Sequence, residues 1–257
     1  MSSPAISTPP AIERALELFE PERRPAEANL TDGYLDLLGE HDPTGEKLSQ
    51  QAMLGKLAPR IYESLSRPLV MRVGMRGPSW KVEYALAMEM LAVKSGERVL
   101  DLACGPGNFT RGFAASAGSG LVVGLDASRP MLTAAVQRTP NANVAYMRGD
   151  ASAPPFRDAC WDAISCLGAL HLFERPTEAL EAMVRMLVPG GRLALMVTCD
   201  PKATGRREPP VRKYGGIIVF TREDITGALA DHGLIDIAQQ VKGRAQFVSA
   251  RKPAAGA

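Results

Sequence analysis

What the chain lacks narrows its function before any motif is read. Its four cysteines, Cys104, Cys160, Cys166 and Cys199, include no C-x-x-C pair, so neither a zinc-ligand nor a dithiol spacing is present. They fall within or beside predicted strands and turns, where a thiol behaves as a small buried hydrophobe, and the sequence predicts no metal site and a reducing compartment. A dominant charge sign is missing as well. The 30 Lys and Arg nearly balance the 28 Asp and Glu, and a net charge of +2 gives no claim on nucleic acid. No basic segment followed by an unbroken apolar run opens the chain. The most apolar helical stretch, residues 84–93, is interrupted by Glu89 and is shorter than the ~20 apolar residues a bilayer span needs. The expectation is a cytoplasmic protein with a small-molecule partner, no nucleic acid and no stable membrane insertion; nothing in the residues fixes an oligomeric state.

What is present suffices for an ordinary core: 46% of 257 residues are hydrophobic, enough for one generous domain with an extension. Residues 1–10, rich in Ser, Thr and Pro, read as a disordered leader. Residues 11–76 read as an N-terminal helical cap. Its first helix, residues 11–19, is amphipathic, with Ile12, Ala15, Leu16 and Phe19 on one face. A second is expected over residues 32–38, with Thr31 as its cap and Gly39 at its stop. Helical pieces broken by Pro59 and Pro68 fill residues 45–75. The Gly77-Pro78-Ser79 break marks the boundary, and residues 77–257 form the second domain.

There the pattern alternates. Strands are expected at 98–102, 121–125, 144–147, 162–167 and 192–198, with helices at 80–93, 108–117, 130–138 and 176–187 around and between them. Strands and helices alternating at this length imply a doubly wound, parallel α/β sheet. The last helix, 222–232, is followed by strands 234–241 and 244–250 so close together that they must form an antiparallel hairpin.

The chain is organised around V-L-D-L-A-C-G-P-G-N-F-T, residues 99–110. A strand closes on Asp101, Gly105-Pro106-Gly107 turn, and a helix opens at Asn108, which lets a ligand lie on bare backbone at a helix N-terminus. The next strand ends at Asp126, where an acid can take both hydroxyls of a ribose. The dinucleotide fingerprint would place a third small residue at position 110, but Thr stands there, which argues against a pyrophosphate cofactor and an NAD-linked oxidoreductase.

In these residues the chain resembles the class I S-adenosylmethionine-dependent methyltransferases. Asp101, Gly105 and Gly107 match the family's first motif, with Ala103 where Gly is frequent; Asp126, Gly149-Asp150-Ala151 and the turn Val188-Pro189-Gly190-Gly191-Arg192 follow in order. The resemblance covers about residues 80–257 and is nearest the branch holding quinone-ring C-methyltransferases and natural-product O- and N-methyltransferases. It implies a Rossmann-like seven-stranded sheet with one antiparallel strand, and S-adenosyl-L-methionine as cofactor. It further implies that Asp101, Ala103 and the Gly105–Gly107 backbone hold the methionine portion and Asp126 with Ala127 the ribose. Asp150 and the Ala151 N–H would take the adenine, Met131 would pack on the purine, and Leu167 would border the methionine ammonium. Ala103 fits this motif if its φ is negative. His171, after the fourth strand, is the candidate general base facing the acceptor, against the alternative of a packing histidine. Tyr62 in the cap is a candidate acceptor contact, and the basic stretch 206–213 would greet an anionic or membrane-associated acceptor or read as a solvated face. A cofactor-binding sensor without methyl transfer is the rival of another class.

Overall fold

The computed structural model describes residues 8–40, 74–206, 212–213 and 216–256. Tyr62, the helical pieces expected over 45–75 apart from their last residues, and most of the basic stretch 206–213 lie outside the described residues.

The strands follow the apolar runs. β3 (Arg98–Leu102), β4 (Leu121–Asp126), β5 (Val144–Arg148), β6 (Trp161–Leu167) and β7 (Leu187–Thr198) are joined through α3 (Asn108–Ala117), α4 (Arg129–Gln137) and α5 (Pro176–Met186). α2 (Trp80–Leu91) precedes β3, and α6 (Arg222–Asp231) leads into the hairpin β10 (Ile235–Lys242) and β11 (Ala245–Arg251). The order β5-β4-β3-β6-β7-β11-β10 is parallel from β5 to β7, and β11 runs antiparallel to both of its neighbours. These seven strands are the Rossmann-like sheet that the family resemblance implies.

Alternate side chains point to opposite faces of the sheet, and each face finds its own helices. Leu100, Leu102, Val123, Leu125 and Ile164 pack against α1 (Pro10–Leu16), α5 and α6; Val99, Val122, Ala163 and Ala194 pack against α2 and α3. Gly112 allows α3 to lie close on α2, since a Cβ there would sit 2.2 Å from the Tyr84 hydroxyl. Ser128 caps α4 by accepting from the Met131 N–H, and Thr221 with Asp224 forms a reciprocal capping box on α6.

The N-terminal residues depart from expectation. α1 buries Ile12, Ala15 and Leu16 as its amphipathic pattern requires, yet it lies on the main sheet and belongs to no separate cap. Residues 32–38 are not a helix. Asp32 (φ 48°) and Gly33 (φ 84°) form a two-residue turn between β1 (Leu30–Thr31) and β2 (Tyr34–Asp36), with Thr31 paired to Tyr34. Both turn residues need positive φ, and Asp-Gly meets that need for a tight hairpin. β2 then pairs in parallel with β5, Leu35 opposite Met147 and Asp36 opposite Arg148, and extends the sheet to nine strands. The apolar run Tyr34-Leu35-Leu37-Leu38 suits either structure by composition; the sheet edge of β5 decides for the strand because it satisfies the backbone.

The division at Gly77 therefore cuts through a shared core. A chain starting at residue 77 loses α1, β2 and the apolar cover of β4 and β5, several side chains worth roughly 1.5–3 kcal/mol each. Its circular-dichroism melt is expected to lose cooperativity or to move at least 10 °C lower; an unchanged melt would show that the first 76 residues are dispensable to the fold.

Candidate functional site

β3 is followed on one side by β4 and β5, after which the chain crosses to β6 on the other side. Ligands of open parallel sheets lie beyond the strand carboxyl ends at such a reversal. Asp101 stands on that seam, directly opposite Ser165 of β6. Only 2% exposed, its carboxylate accepts from the Ser165 hydroxyl at 2.7 Å and the Thr110 hydroxyl at 2.6 Å. The acid thus ties β3, β6 and α3 together at the floor of the crevice. Burial raises its pKa to about 6, against the lowering effect of the two hydroxyls, and the Asp126 charge adds to the rise. Ser165 and Thr110 were not among the expected site residues; Thr110 closes the motif, whereas the signal for Ser165 is a hydroxyl within the apolar strand β6.

The turn after Asp101 is left-handed at three positions, Ala103 (φ 53°), Gly105 (φ 55°) and Gly107 (φ 75°). The negative φ expected of Ala103 is not what the loop adopts. Three alternate residues with φ > 0 bend the chain back on itself, and alanine accepts this at about 1 kcal/mol relative to glycine. The two glycines also differ. A Cβ on Gly105 meets nothing within 4 Å, whereas one on Gly107 falls 2.2 Å from the Tyr146 hydroxyl. Gly105 faces open space, and Gly107 is closed by packing.

Asp126 closes β4 and draws the turn toward itself. Its carboxylate accepts the Gly105 N–H at 2.8 Å and the Ser128 N–H at 2.9 Å. Burial raises its pKa, and the N–H groups of Ser128, Gly105 and Ala127 oppose that rise. Next to it, the Ala127 carbonyl accepts from Nε of Arg148 at 3.0 Å. At the end of β5, the exposed Asp150 accepts the Ser152 N–H (2.8 Å) and hydroxyl (2.6 Å), with Ala151 buried behind it. Met131 is buried in the first turn of α4. The structure gathers Asp101, Ala103, Gly105, Gly107, Asp126, Ala127, Met131, Asp150 and Ala151 around the carboxyl ends of β3, β4 and β5.

On the other side of the seam, Leu167 ends β6 half-buried against α2, and Gly168 (φ 88°) donates its N–H to the Met196 carbonyl at 2.9 Å. His171 follows in a short 3-10 turn, Leu170–Leu172. Its Nδ1 is buried with no hydrogen-bond partner among the described residues, and burial lowers its pKa to about 4. The imidazole is neutral at physiological pH and far weaker as a base than an ordinary histidine. Over the start of α3, Trp80 and Phe109 lie 5.0 Å apart between ring centroids, with Tyr84 stacked on Phe109 at 6.1 Å. Trp80 keeps 42% of its surface exposed. Among the described residues, no group of three or more His, Cys, Asp or Glu could hold a metal ion.

Two measurements check this geometry. Gly107→Val drives a branched side chain into Tyr146 and is expected to abolish a cooperative melt, whereas Gly105→Ala retains one at a cost of about 1 kcal/mol for its left-handed φ; equal effects would show that the two glycines are not distinguished by packing. Asp101 has a folded pKa above its unfolded one, so its contribution to stability is complete below about pH 4 and is lost as pH rises through about 6. Asp101→Asn is therefore expected to flatten the denaturation midpoint between pH 4 and 7 relative to wild type, and parallel profiles for the two proteins would refute the raised pKa.

Comparison with known proteins agrees with this geometry. The methyltransferase-domain family matches residues 99–191, from β3 to the turn within β7. Demethylmenaquinone methyltransferase of Deinococcus radiodurans is 37% identical over 169 residues, 63% of this chain and 67% of that protein. 2-Phytyl-1,4-naphtoquinone methyltransferase of Thermosynechococcus vestitus is 32% identical over 179 residues, 64% of this chain and 76% of that protein. A phosphoethanolamine N-methyltransferase of Haemonchus contortus, solved in complex with S-adenosyl-L-methionine, shares the fold with a TM-score of 0.60 at 18% identity, over 77% of this chain and 57% of that one. The chain belongs to the class I S-adenosylmethionine-dependent methyltransferases.

Proposed function

We propose that this enzyme binds S-adenosylmethionine across the carboxyl ends of β3, β4 and β5 and methylates a ring carbon of a small quinone precursor in the cytoplasm. The observation that carries the donor site is the Asp126 grip on Gly105, which joins the strand-end acid to a glycine whose α-carbon faces open space. The residues present suit the donor. The turn offers bare backbone for the methionine portion, and the Asp126 oxygens retain lone pairs for the ribose hydroxyls. Asp150 and the Ala151 N–H stand at the adenine end, with Met131 beneath. Two acids with raised pKa values suit a cationic ligand, which favours their ionised forms.

Asp101 acts here as a positioning residue, since it is buried and its carboxylate ties β3 to Thr110 of α3 and Ser165 of β6. Bound in this site, the donor would supply a sulfonium-activated methyl to the acceptor ring carbon, with the electron pair of the broken carbon–sulfur bond left on sulfur and the displaced ring proton passing to solvent. The protein's remaining work is alignment and exclusion of water. The quinone class rests on the two curated relatives, whose names carry it, and on the aromatic cluster at the start of α3, where Trp80, tilted 50° from Phe109, keeps 42% of its surface exposed for an aromatic acceptor. His171 serves as a neutral hydrogen-bonding or packing group after β6 and not as a base titrating near neutrality.

Calorimetry with S-adenosylhomocysteine against NADH tests the donor, and turnover of a reduced naphthoquinone with labelled donor tests the acceptor. Asp126→Ala is expected to weaken S-adenosylhomocysteine binding by about 1.5–3 kcal/mol with a cooperative melt retained. An unchanged dissociation constant would remove Asp126 from the site.

A further inference from the structure

Arg148 ends β5 with its side chain fully buried, an unusual place for a guanidinium. Three segments hold it. Its Nη1 donates to Asp36 Oδ1 of β2 at 3.2 Å and to the Gly39 carbonyl at 2.7 Å, and its Nε donates to the Ala127 carbonyl at 3.0 Å. Asp36, also buried, pairs through Oδ2 with Arg129 Nη1 at 2.9 Å and turns its Oδ1 to the N–H groups of Leu38 and Gly39, each at 3.0 Å. Arg129 also reaches the Gly39 carbonyl. Main-chain bonds run alongside: Leu37 N–H to the Arg148 carbonyl and Gly149 N–H to the Asp126 carbonyl, both at 3.0 Å.

The loop held by this cluster is the one that bears Asp126. We infer that Arg148, anchored by Asp36 of the N-terminal strand, is a positioning residue that fixes the Asp126–Ser128 loop for the ribose of the cofactor. The inference rests on the donor site proposed above and extends it to residues outside the motifs that define it. Its mechanism is geometric. A planar guanidinium can serve Asp36, Gly39 and Ala127 together, whereas an ammonium has no fixed fork with which to span all three. Packing alone accounts poorly for the group, because a buried ion pair carries a desolvation cost that an apolar side chain of similar volume avoids.

The test is a binding cycle with S-adenosylhomocysteine as the probe. Arg148→Lys keeps the charge beside Asp36 but gives up the simultaneous hold on Ala127. It is expected to raise the dissociation constant about tenfold with a cooperative melt. In an Asp126→Ala background the same change is expected to have less than a twofold effect, since the carboxylate it positions is gone. A purely structural Arg148 would lower the melting temperature and leave affinity unchanged, or would exert its full effect with Asp126 absent; either result overturns the inference. If Arg148→Lys does not melt cooperatively, Asp36→Asn carries the same cycle, because it keeps an oxygen for the Leu38 and Gly39 N–H groups while removing the charge opposite Arg148. Wild-type protein that binds no S-adenosylhomocysteine would instead refute the donor site itself, and would do so before any variant is compared.

Discussion

The architecture of the site depends on one carboxylate accepting two backbone N–H groups. Asp126 closes β4, yet its oxygens reach Gly105 after β3 and Ser128 ahead of α4, so two βα turns that would otherwise be independent become one surface. Loops at strand ends are ordinarily the most mobile parts of an α/β sheet. Here the turn is further held beneath by Tyr146, whose hydroxyl shares a 2.9 Å hydrogen bond with Thr139 and lies where a Gly107 side chain would be. That division of labour explains why the two glycines are not equivalent. One is needed so that the protein can pack against the turn, and the other leaves the turn's outer side open.

The electrostatics follow from burial. Asp101 and Asp126 are both desolvated, and Asp126 adds to the rise at Asp101. Such acids are costly without compensation, and hydrogen bonds from Ser165, Thr110, Gly105 and Ser128 supply part of it. On the proposed reading, a cationic donor supplies more. After methyl transfer the sulfur is neutral and that contribution falls away, which favours exchange of product for fresh donor. His171 stands in the opposite situation: burial lowers its pKa to about 4, so the ring remains uncharged.

Most of this was legible in the sequence because strongly periodic segments and strand-end acids report the local backbone directly. The strands from β3 to β7, the terminal hairpin and the Asp126 position all follow from apolar runs and their punctuation. The N-terminal strand did not, although Asp32-Gly33 is the dipeptide a tight hairpin favours. Tyr34, Leu35, Leu37 and Leu38 offer an apolar side in either conformation, and the choice was made by a distant edge, β5, that no local window contains. Ala103 failed for a related reason. Its φ is set by the closure of the Gly105–Gly107 turn on Asp126, and the residue itself would prefer the right-handed region. Asp101 was legible as the acid that closes the first motif's strand, but its hydrogen bonds were not, because Ser165 lies 64 residues away and meets it only through strand register.

The same reasoning changes what the first 40 residues mean. A segment read as a cap belongs, where described, to the sheet itself, and it contributes an acid to a cluster that ends on the Asp126–Ser128 loop. Parallel strands need both edges covered or paired, and β5 is the edge of the seven-stranded core on this side. Adding β2 there satisfies that edge, and the chain has placed its buried ion pairs at the carboxyl end of the added strand, where Asp36 meets Arg148 and Arg129. An apolar contact at that point would close the edge equally well. A guanidinium closes it and also fixes a carbonyl three positions ahead of Pro130, so extending the sheet and preparing the ligand loop are the work of one side chain.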